Sequence, residues 1–166
     1  MLIHLASDHA GVELKKVIIE HLARRNIQAF DEGPFDSSSV DYPDFANKVC
    51  LAIKKNENRL LQKIPRDPYE LPSPNEEEEK KIGILICGSG QGMSMSANKY
   101  SFIRAALCYN AEMARLSREH NDANILCLGA RFTNEAEALV IVDVFLSTPF
   151  SGGRHLLRIS KMSSIK

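Results

Sequence analysis

Short apolar runs alternate with longer amphipathic segments along most of this chain. The runs are rich in β-branched residues and predict five strands, at residues 2–6, 27–30, 82–86, 103–108 and 125–128. The amphipathic segments predict helices at residues 12–24, 41–53, 93–99, 111–122 and 133–145, with a last helix from residue 153. Strands and helices in alternation are typical of a parallel sheet covered on both faces. We therefore expect a single α/β domain over residues 1–166, a three-layer α/β/α sandwich with a five-stranded parallel sheet of the Rossmann-like type.

The same pattern predicts which helix faces are buried and how two helices begin. In the first helix the apolar residues share one face, which leaves Lys15 and Lys16 largely on the opposite face. Asp41 and Thr133 each precede a helical segment, and both are residue types that cap helix N-termini. We therefore expect two solvated lysines and two side-chain caps.

The pattern breaks down over residues 56–81. This segment contains four prolines and an acidic run at residues 76–79, and it exceeds the few residues that usually join a helix to the next strand. One packed turn around Leu60, Leu61 and Ile64 is all the structure that we predict there. We interpret the segment as a surface insertion that leaves the rest of the domain intact.

Composition and charge argue against several classes of partner. Lys plus Arg number 21 and Asp plus Glu number 21, so the net charge is zero and neither nucleic acid nor a membrane surface is expected as a partner. No apolar run approaches the length of a membrane span, and no charged-then-apolar leader opens the sequence. The four cysteines form no C-x-x-C pair, so we expect free thiols, no metal site and a cytoplasmic protein.

The strand predicted at residues 82–86 runs into a glycine-rich loop. Cys87 ends the strand, and Gly88, Gly90 and Gly92 follow at every second position. Such glycines allow positive φ angles and let backbone N–H groups approach a ligand, while the N-terminus of the next helix favours negative charge. The same field favours a thiolate, so Cys87 is a candidate nucleophile or base. The alternative is a tight turn after a core strand, with Cys87 as an inert small hydrophobic residue.

Other polar residues follow strand ends, where open α/β sheets bind their ligands. Asp8 and His9 come after the first strand, and Arg131 comes after the fifth. For Asp8 the alternative is a simple helix cap, which is common for Asp and is compatible with a functional role. Tyr42 stands at a helix start, where its pattern favours packing over ligand contact.

Two further polar groups come later in the chain. Residues 118–122 end a helix just before the fifth strand and include His120 and Asn121, and we expect this cluster beside the carboxyl edge of the sheet. In the last helix Arg154 and Arg158 are one turn apart and project from one face, which suits a phosphate dianion. The alternative for the two arginines is a solvated basic face on a terminal helix.

The motifs stand in a familiar order. They are Ser-Asp-His-Ala-Gly at 7–11, Asp-Tyr-Pro at 41–43, Cys-Gly-Ser-Gly-Gln-Gly at 87–92, Ala-Asn-Lys at 97–99, Arg-Ala at 104–105, Ser-Arg-Glu-His-Asn-Asp at 117–122 and Gly-Gly-Arg-His at 152–155. As an ordered set they resemble the RpiB/LacAB family of sugar-phosphate isomerases, from residue 3 to about residue 158. The chain departs from the family's pattern in the segment 56–81, which is roughly twenty residues longer than expected, and at Gln91, where an apolar residue is usual.

This resemblance implies an aldose–ketose isomerase of the pentose phosphate pathway that interconverts ribose 5-phosphate and ribulose 5-phosphate and uses no metal or other cofactor. It implies strand order 2-1-3-5-4, and a homodimer or dimer of dimers with active sites shared between subunits. A six-carbon substrate, such as galactose 6-phosphate or allose 6-phosphate, is an alternative. A non-catalytic phosphate-binding module is a further alternative, against which Cys87 argues, since a pure binding protein has no need of the thiol.

The resemblance also implies the catalytic roles. Cys87 matches the base that moves a proton between C1 and C2 of the open-chain sugar, and Ser89 stands where many members carry Thr. His120 matches the residue that opens the furanose ring, and Asp8 matches an acidic residue near the sugar oxygens.

The implied binding residues are more widely spread. Those that match the phosphate-binding group are His9, Arg131, Arg154 and Arg158, some of them supplied by the partner subunit. Asn121 matches an amide that contacts the substrate. The predicted substrate-binding set is completed by Tyr42 and by the backbone of Gly88, Gly90 and Gly92.

Overall fold

The computed structural model describes residues 1–60 and 80–163. Its centre is a sheet of five strands: β1 Leu2–Ser7, β2 Gln28–Asp31, β3 Lys81–Cys87, β4 Ala105–Leu107 and β5 Ile125–Gly129. The strands lie in the order β2-β1-β3-β5-β4, and every pairing is parallel. The predicted α/β class is therefore confirmed, and so is the strand order that the family resemblance implies.

The central strand β3 is paired with a neighbour on each side. Ser7 of β1 pairs with Ile86, and Gly129 of β5 pairs with Cys87. Because the three strands are parallel and their last residues are in register to within one residue, their carboxyl ends lie nearly level. One edge of the sheet thus carries the residues that follow β1, β3 and β5.

The described residues form six α-helices: α1 Val12–Arg24, α2 Tyr42–Leu60, α3 Gln91–Ala97, α4 Ala111–Asn121, α5 Glu135–Ser147 and α6 Arg154–Ser163. A 3₁₀ turn at His9–Gly11 precedes α1. None of these helices combines the length and the apolar character that are needed to cross a membrane.

The helix predicted to end at residue 53 continues to Leu60, so the predicted break in structure from residue 56 was placed too early. No proline or glycine interrupts the chain between Pro43 and Pro65, and the helix therefore has no local reason to stop at residue 53. At the other end of the predicted insertion, Lys81 belongs to β3. Residues 61–79, including the turn predicted at Leu61 and Ile64, lie outside the described residues.

Side chains of the sheet alternate between two hydrophobic cores. Ile82, Ile84 and Ile86 of β3 point to the face covered by α1, α4 and α5. Leu85 and Cys87 point to the opposite face, which is covered by α2 and α3. β3 is therefore buried on both sides, as its uninterrupted apolar run predicts, and the three-layer arrangement is confirmed.

Lys15 is buried, which corrects the prediction from the helix-face pattern. Its side chain is only 1% exposed. Nζ donates hydrogen bonds to Asp31 Oδ1 and to the carbonyl oxygen of Pro34, the second at 2.6 Å. The Phe35 ring lies 5.3 Å from the same nitrogen. The chain leaving β2 therefore wraps over this turn of α1, and helical periodicity contains no signal for a covering loop.

The N-cap of α5 is Asn134, one residue later than predicted. Asn134 Oδ1 accepts the N–H of Glu137 at 2.9 Å. Thr133 is buried, and its own N–H donates to the carbonyl oxygen of Gly129 at 3.0 Å. Thr133 thus closes the turn that follows β5, and this turn leaves the capping position to the next residue.

The buried ion pair of Lys15 gives a first prediction. Replacing Lys15 by Met keeps the aliphatic stem but removes the donor to Asp31 and to the Pro34 carbonyl, and should destabilise the protein by about 2–4 kcal/mol. The matched control is Lys16→Met. Lys16 pairs with Glu13 at 2.8 Å with its side chain 52% exposed, and losing such a surface pair should cost below about 0.5 kcal/mol.

Urea unfolding followed by circular dichroism measures both variants. Equal midpoints for Lys15→Met and Lys16→Met would mean that the buried pair contributes no more than the exposed one.

Candidate active site

Backbone hydrogen bonds join the segments that leave β1, β3 and β5. The N–H of Asp8 donates to the carbonyl oxygen of Ile86 at 2.9 Å. On the other side, the N–H of Ala130 donates to the carbonyl oxygen of Cys87 at 2.9 Å, and the N–H of Arg131 donates to that of Gly88 at 3.1 Å. The start of the glycine-rich loop is therefore held from both neighbouring strands, at the carboxyl edge where the sequence places the ligand crevice.

The thiol of Cys87 accepts a backbone hydrogen bond. Its Sγ lies 3.1 Å from the backbone nitrogen of Gly90, and the residue is 4% exposed. Gly90 has a φ of +74°, and a Cβ there would lie 2.4 Å from Leu107 Cδ1 and 3.0 Å from the backbone of Leu128. Only glycine fits this position, and its N–H is directed at the sulfur of Cys87.

The other three cysteines lie in different surroundings. Burial raises the pKa of Cys50 to about 12 and that of Cys108 to about 11. Burial also raises the pKa of Cys127, and the neighbouring Cys87 adds to that rise. These three thiols stay protonated at neutral pH, which suits core residues and leaves Cys87 as the candidate base.

Asp8 and His9 lie directly beside this loop. Asp8 Oδ1 accepts the N–H groups of Ala10 and Gly11 at 2.9 and 3.2 Å, so the predicted cap exists and coexists with a position at the strand edge. His9 Nδ1 is buried and has no hydrogen-bond partner within residues 1–60 and 80–163. Asp8 is thus held rigidly, while a buried ring nitrogen of His9 is left available for a ligand.

Three further predicted residues belong to the loop or contact it. Ser89 Oγ accepts the N–H of Gln91 at 3.4 Å. A Cβ placed on Gly92 would lie 2.6 Å from Tyr42 Cζ, so the Tyr42 ring packs against the loop as the sequence favours. A Cβ placed on Gly88 would lie 3.2 Å from Cζ of Arg131, whose guanidinium therefore covers the loop start. The carboxyl-edge group is defined here as Asp8, His9, Tyr42, Cys87, Ser89, Gly88, Gly90, Gly92 and Arg131.

Tyr109 also contacts the loop, although no sequence motif selects it. Its hydroxyl donates to the carbonyl oxygen of Ser89 at 3.0 Å. Its position just after β4, at the carboxyl end of a strand, is the one signal that marks it in the sequence.

His120 and Asn121 lie in the last turn of α4, at the amino edge of the sheet. Arg104, which precedes β4, donates from Nε to the carbonyl oxygens of Asn121 and Asp122 at 3.1 and 2.9 Å. Asn124, which precedes β5, accepts the N–H of Arg104 at 2.8 Å. The prediction that placed this cluster beside the carboxyl edge was therefore wrong. A helix between two parallel strands runs back along the sheet, so its last turn lies where the next strand begins.

The start of α6 packs against the same turn. The N–H of Ser151 donates to the carbonyl oxygen of Glu119 at 2.9 Å. The His155 and His120 rings stack with centroids 4.3 Å apart and planes at 6°. Desolvation lowers the pKa of His155, and the charges of His120 and the nearby arginines lower it further, which favours a neutral ring in the stack. The amino-edge group is defined here as His120, Asn121, Arg154, His155 and Arg158.

The predicted site residues thus fall into two groups on opposite edges of the sheet. β5 has five residues, and at about 3.3 Å each they separate the edges by roughly 15 Å. The structure brings the thiol, the glycine loop, Asp8, His9 and Arg131 together, and it keeps His120, Asn121 and the α6 arginines away from them within one chain. No cluster of three or more His, Cys, Asp or Glu side chains among the described residues is arranged to hold a metal ion.

Known proteins share this architecture. Residues 3–61 and 73–162 match the family model described as Ribose/Galactose Isomerase, and the unmatched residues 62–72 lie within the predicted insertion. A ribose 5-phosphate isomerase structure from Thermotoga maritima is 44% identical, with a TM-score of 0.84, over 99% of this chain and 98% of that one. A structure of ribose-5-phosphate isomerase B from Mycoplasma genitalium with bound ribulose-5-phosphate is 41% identical, with a TM-score of 0.82, over 98% and 93%. A Rickettsia bellii protein with the general name of sugar phosphate isomerase is 43% identical, over 95% of this chain and 94% of its own length.

The fit of Gly90 gives a second prediction. Gly90→Ala should destabilise the protein by about 2–4 kcal/mol, because a left-handed backbone conformation and a close contact are both imposed on the new methyl group. Gly152→Ala is the matched control, since Gly152 has a φ of +63° but a Cβ there would meet no atom within 4 Å. Only the backbone cost of about 1 kcal/mol should remain there.

Urea unfolding of both variants measures the difference. Equal destabilisation would show that the packing of Gly90 against Leu107 and Leu128 carries no cost.

Proposed function

Since this chain belongs to the ribose/galactose isomerase family, we propose that it is an aldose–ketose isomerase that interconverts ribose 5-phosphate and ribulose 5-phosphate. The observation that carries the proposal is the thiol of Cys87 at the end of the central strand, with the N–H of Gly90 on its sulfur. The thiolate is the reactive form of a cysteine, and a sulfur that receives a backbone donor beside a binding crevice is suited, in that form, to removing a weakly acidic C–H proton.

Cys87 acts as the base in the proton transfer. Its thiolate takes the proton from C2 of the open-chain aldose, and the C–H electron pair forms a C1–C2 double bond while the carbonyl electrons move onto O1. The resulting enediolate is held by N–H donors of the Gly88–Gly92 loop, with the Ser89 hydroxyl beside it. The O2 proton passes to O1, and the thiol returns its proton to C1, which leaves the ketose.

The remaining residues open the ring and hold the substrate. His120 moves the proton between the ring oxygen and O1 that furanose opening requires, because an imidazole can both accept and donate a proton. Asp8 lies near the sugar hydroxyls, and Asn121 contacts the substrate. The phosphate is bound by side chains from both groups, namely His9, Arg131, Arg154 and Arg158. Tyr42 lines the crevice beside Gly92.

These roles require two subunits. A pentose phosphate does not span the roughly 15 Å between the edges of one sheet. The base, the ring-opening residue and the phosphate-binding arginines must nevertheless all reach the same substrate molecule. We infer that the protein is a homodimer, or a dimer of dimers, in which the amino-edge group of each subunit meets the carboxyl-edge group of its partner. Two-fold symmetry then creates two equivalent sites.

Substrate choice is tested by assaying ribose 5-phosphate beside galactose 6-phosphate and allose 6-phosphate. The highest kcat/KM should be for the pentose phosphate. A clear preference for either hexose phosphate would assign the six-carbon alternative, and binding without turnover of any of the three would assign a non-catalytic module.

The role of Cys87 gives a third prediction. Cys87→Ala should lower kcat by about 10³-fold or more, since a general base contributes roughly 10²–10⁴-fold, while ribulose 5-phosphate still binds. Cys50→Ala is the matched control, because that buried thiol belongs to helix α2 and not to a strand end, and its loss should leave kcat within about twofold. Turnover and calorimetric binding are measured for both. Near wild-type turnover in Cys87→Ala would exclude the thiolate as the base.

The shared site gives a fourth prediction, by subunit mixing. Cys87→Ala and His120→Ala proteins are each expected to be nearly inactive. A mixed dimer has one site that carries both defects and one intact site, so an equal mixture after subunit exchange should recover about a quarter of wild-type activity.

The matched control mixes His120→Ala with the Arg154→Ala/Arg158→Ala double variant. Both defects lie in the amino-edge group, so every site of every dimer stays defective and no activity should return. Failure of the first mixture to recover activity, with exchange verified by mass spectrometry, would mean that each site is built within one chain.

A further inference from the structure

The peptide group between Ser89 and Gly90 is hydrogen-bonded on both sides. Its carbonyl oxygen accepts the hydroxyl of Tyr109 at 3.0 Å. Its N–H donates to Cys87 Sγ at 3.1 Å. In a trans peptide the C=O and N–H point in opposite directions, so the two bonds together define the orientation of one plane.

The local backbone preference alone does not fix the orientation of the Ser89–Gly90 peptide plane. A peptide plane turns over by opposite changes in ψ of the residue before it and φ of the residue after it, and glycine accepts either sign of φ. The φ of +74° at Gly90 is therefore one of two accessible values. The reverse orientation would aim the Ser89 carbonyl at Cys87 and would replace a donor to the sulfur by an acceptor.

Tyr109 is itself well anchored. The preceding residue, Cys108, donates its N–H to the carbonyl oxygen of Cys127 at 3.1 Å, and the following residue, Asn110, caps α4. The Tyr109 ring packs edge-on against Phe132, with centroids 6.4 Å apart and planes at 80°. The hydroxyl thus reaches Ser89 from a fixed point on the neighbouring strand end.

We propose that Tyr109 is a positioning residue, whose hydroxyl fixes the Ser89–Gly90 peptide so that the Gly90 N–H faces the sulfur of Cys87. The bond to the carbonyl also polarises the peptide and strengthens its N–H as a donor. Tyr109 acts on the reaction through this peptide and does not touch the substrate. The inference rests on the proposed role of Cys87 as the base.

Other titratable and charged groups surround Cys87. Asp8 follows the neighbouring β1, Cys127 lies on β5, and Arg131 covers the loop start after β5. The Tyr42 hydroxyl group belongs to a ring that packs on Gly92. A Tyr109→Phe replacement keeps all four and keeps the ring that packs on Phe132, so it isolates the hydroxyl.

The test compares Tyr109→Phe with Tyr100→Phe. Tyr100 also donates its hydroxyl within the fold, but to Asn47 Oδ1 of α2 and not to the glycine-rich loop. Thiolate formation is followed by ultraviolet absorbance as a function of pH, with each protein referenced to its own Cys87→Ser version. The second readout is the pH profile of kcat with ribose 5-phosphate, and thermal unfolding verifies that both variants are folded.

In Tyr109→Phe the thiolate step and the acidic limb of the kcat profile should both move to higher pH. The reason is that the sulfur loses an oriented donor, and the thiolate then needs a higher pH to form. At a pH on or below this acidic limb, kcat of Tyr109→Phe should be about three- to tenfold lower than that of the wild type, as the loss of one hydrogen bond predicts. KM should change by less than about twofold. Tyr100→Phe should move neither curve.

The outcomes separate this inference from the proposed function. A shifted thiolate step in a protein that isomerises none of the sugar phosphates would support the positioning role of Tyr109 and contradict the proposed activity. An unshifted thiolate step with intact isomerase activity would overturn the positioning role alone. Loss of thermal stability without a shift would reduce Tyr109 to a packing residue.

Discussion

The pairing of β3 with a parallel strand on each side is the constraint on which the rest of the structure depends. It sets Ser7 against Ile86 and Cys87 against Gly129, and so brings three chain segments level at one edge. A slip of one residue in either ladder would turn Cys87 toward the opposite core, because strand side chains alternate with a period of two. The thiol is therefore placed by long-range sheet pairing, and the loop that follows has only to orient its peptide groups.

Parallel pairing also determines what this edge cannot contain. Each connecting helix runs back along the sheet, so residues near a helix C-terminus lie at the amino edge. His120 at the end of α4 is stacked on His155 of α6 there, and no change in a loop brings it to Cys87 in the same chain. A reaction that uses both residues needs a second copy of the fold, and the fold itself thus makes the shared site a requirement for the proposed chemistry.

The sequence was sufficient for the features that depend on local pattern. The apolar run of β3, the strand–helix alternation and the position of Asp8 as a cap follow from periodicity and residue type. Two expectations failed where another part of the chain decides. Lys15 is buried because the segment after β2 covers it. Thr133 does not cap α5, because its N–H closes the turn after β5. The His120 prediction failed for a different reason: a residue that precedes a parallel strand lies at that strand's amino end, so the order of α4 and β5 along the chain already indicates the amino edge. No motif marks Tyr109, because its contact with the loop crosses to a different strand connection.

The glycine-rich loop combines backbone freedom with external restraint. Gly90 is required because no side chain fits between Leu107 and Leu128, yet the same residue type would let the preceding peptide turn over. Backbone bonds from Ala130 and Arg131 hold only the beginning of the loop, at Cys87 and Gly88. Gly129 permits the Ser89 carbonyl oxygen to lie close against β5, since a Cβ there would lie 2.8 Å from that oxygen. On the β5 side this carbonyl has little room for a side-chain donor. The Tyr109 hydroxyl reaches the carbonyl from the β4 side. The loop can therefore be rich in glycine and still present a fixed N–H to sulfur, because the order is supplied by the strands around it.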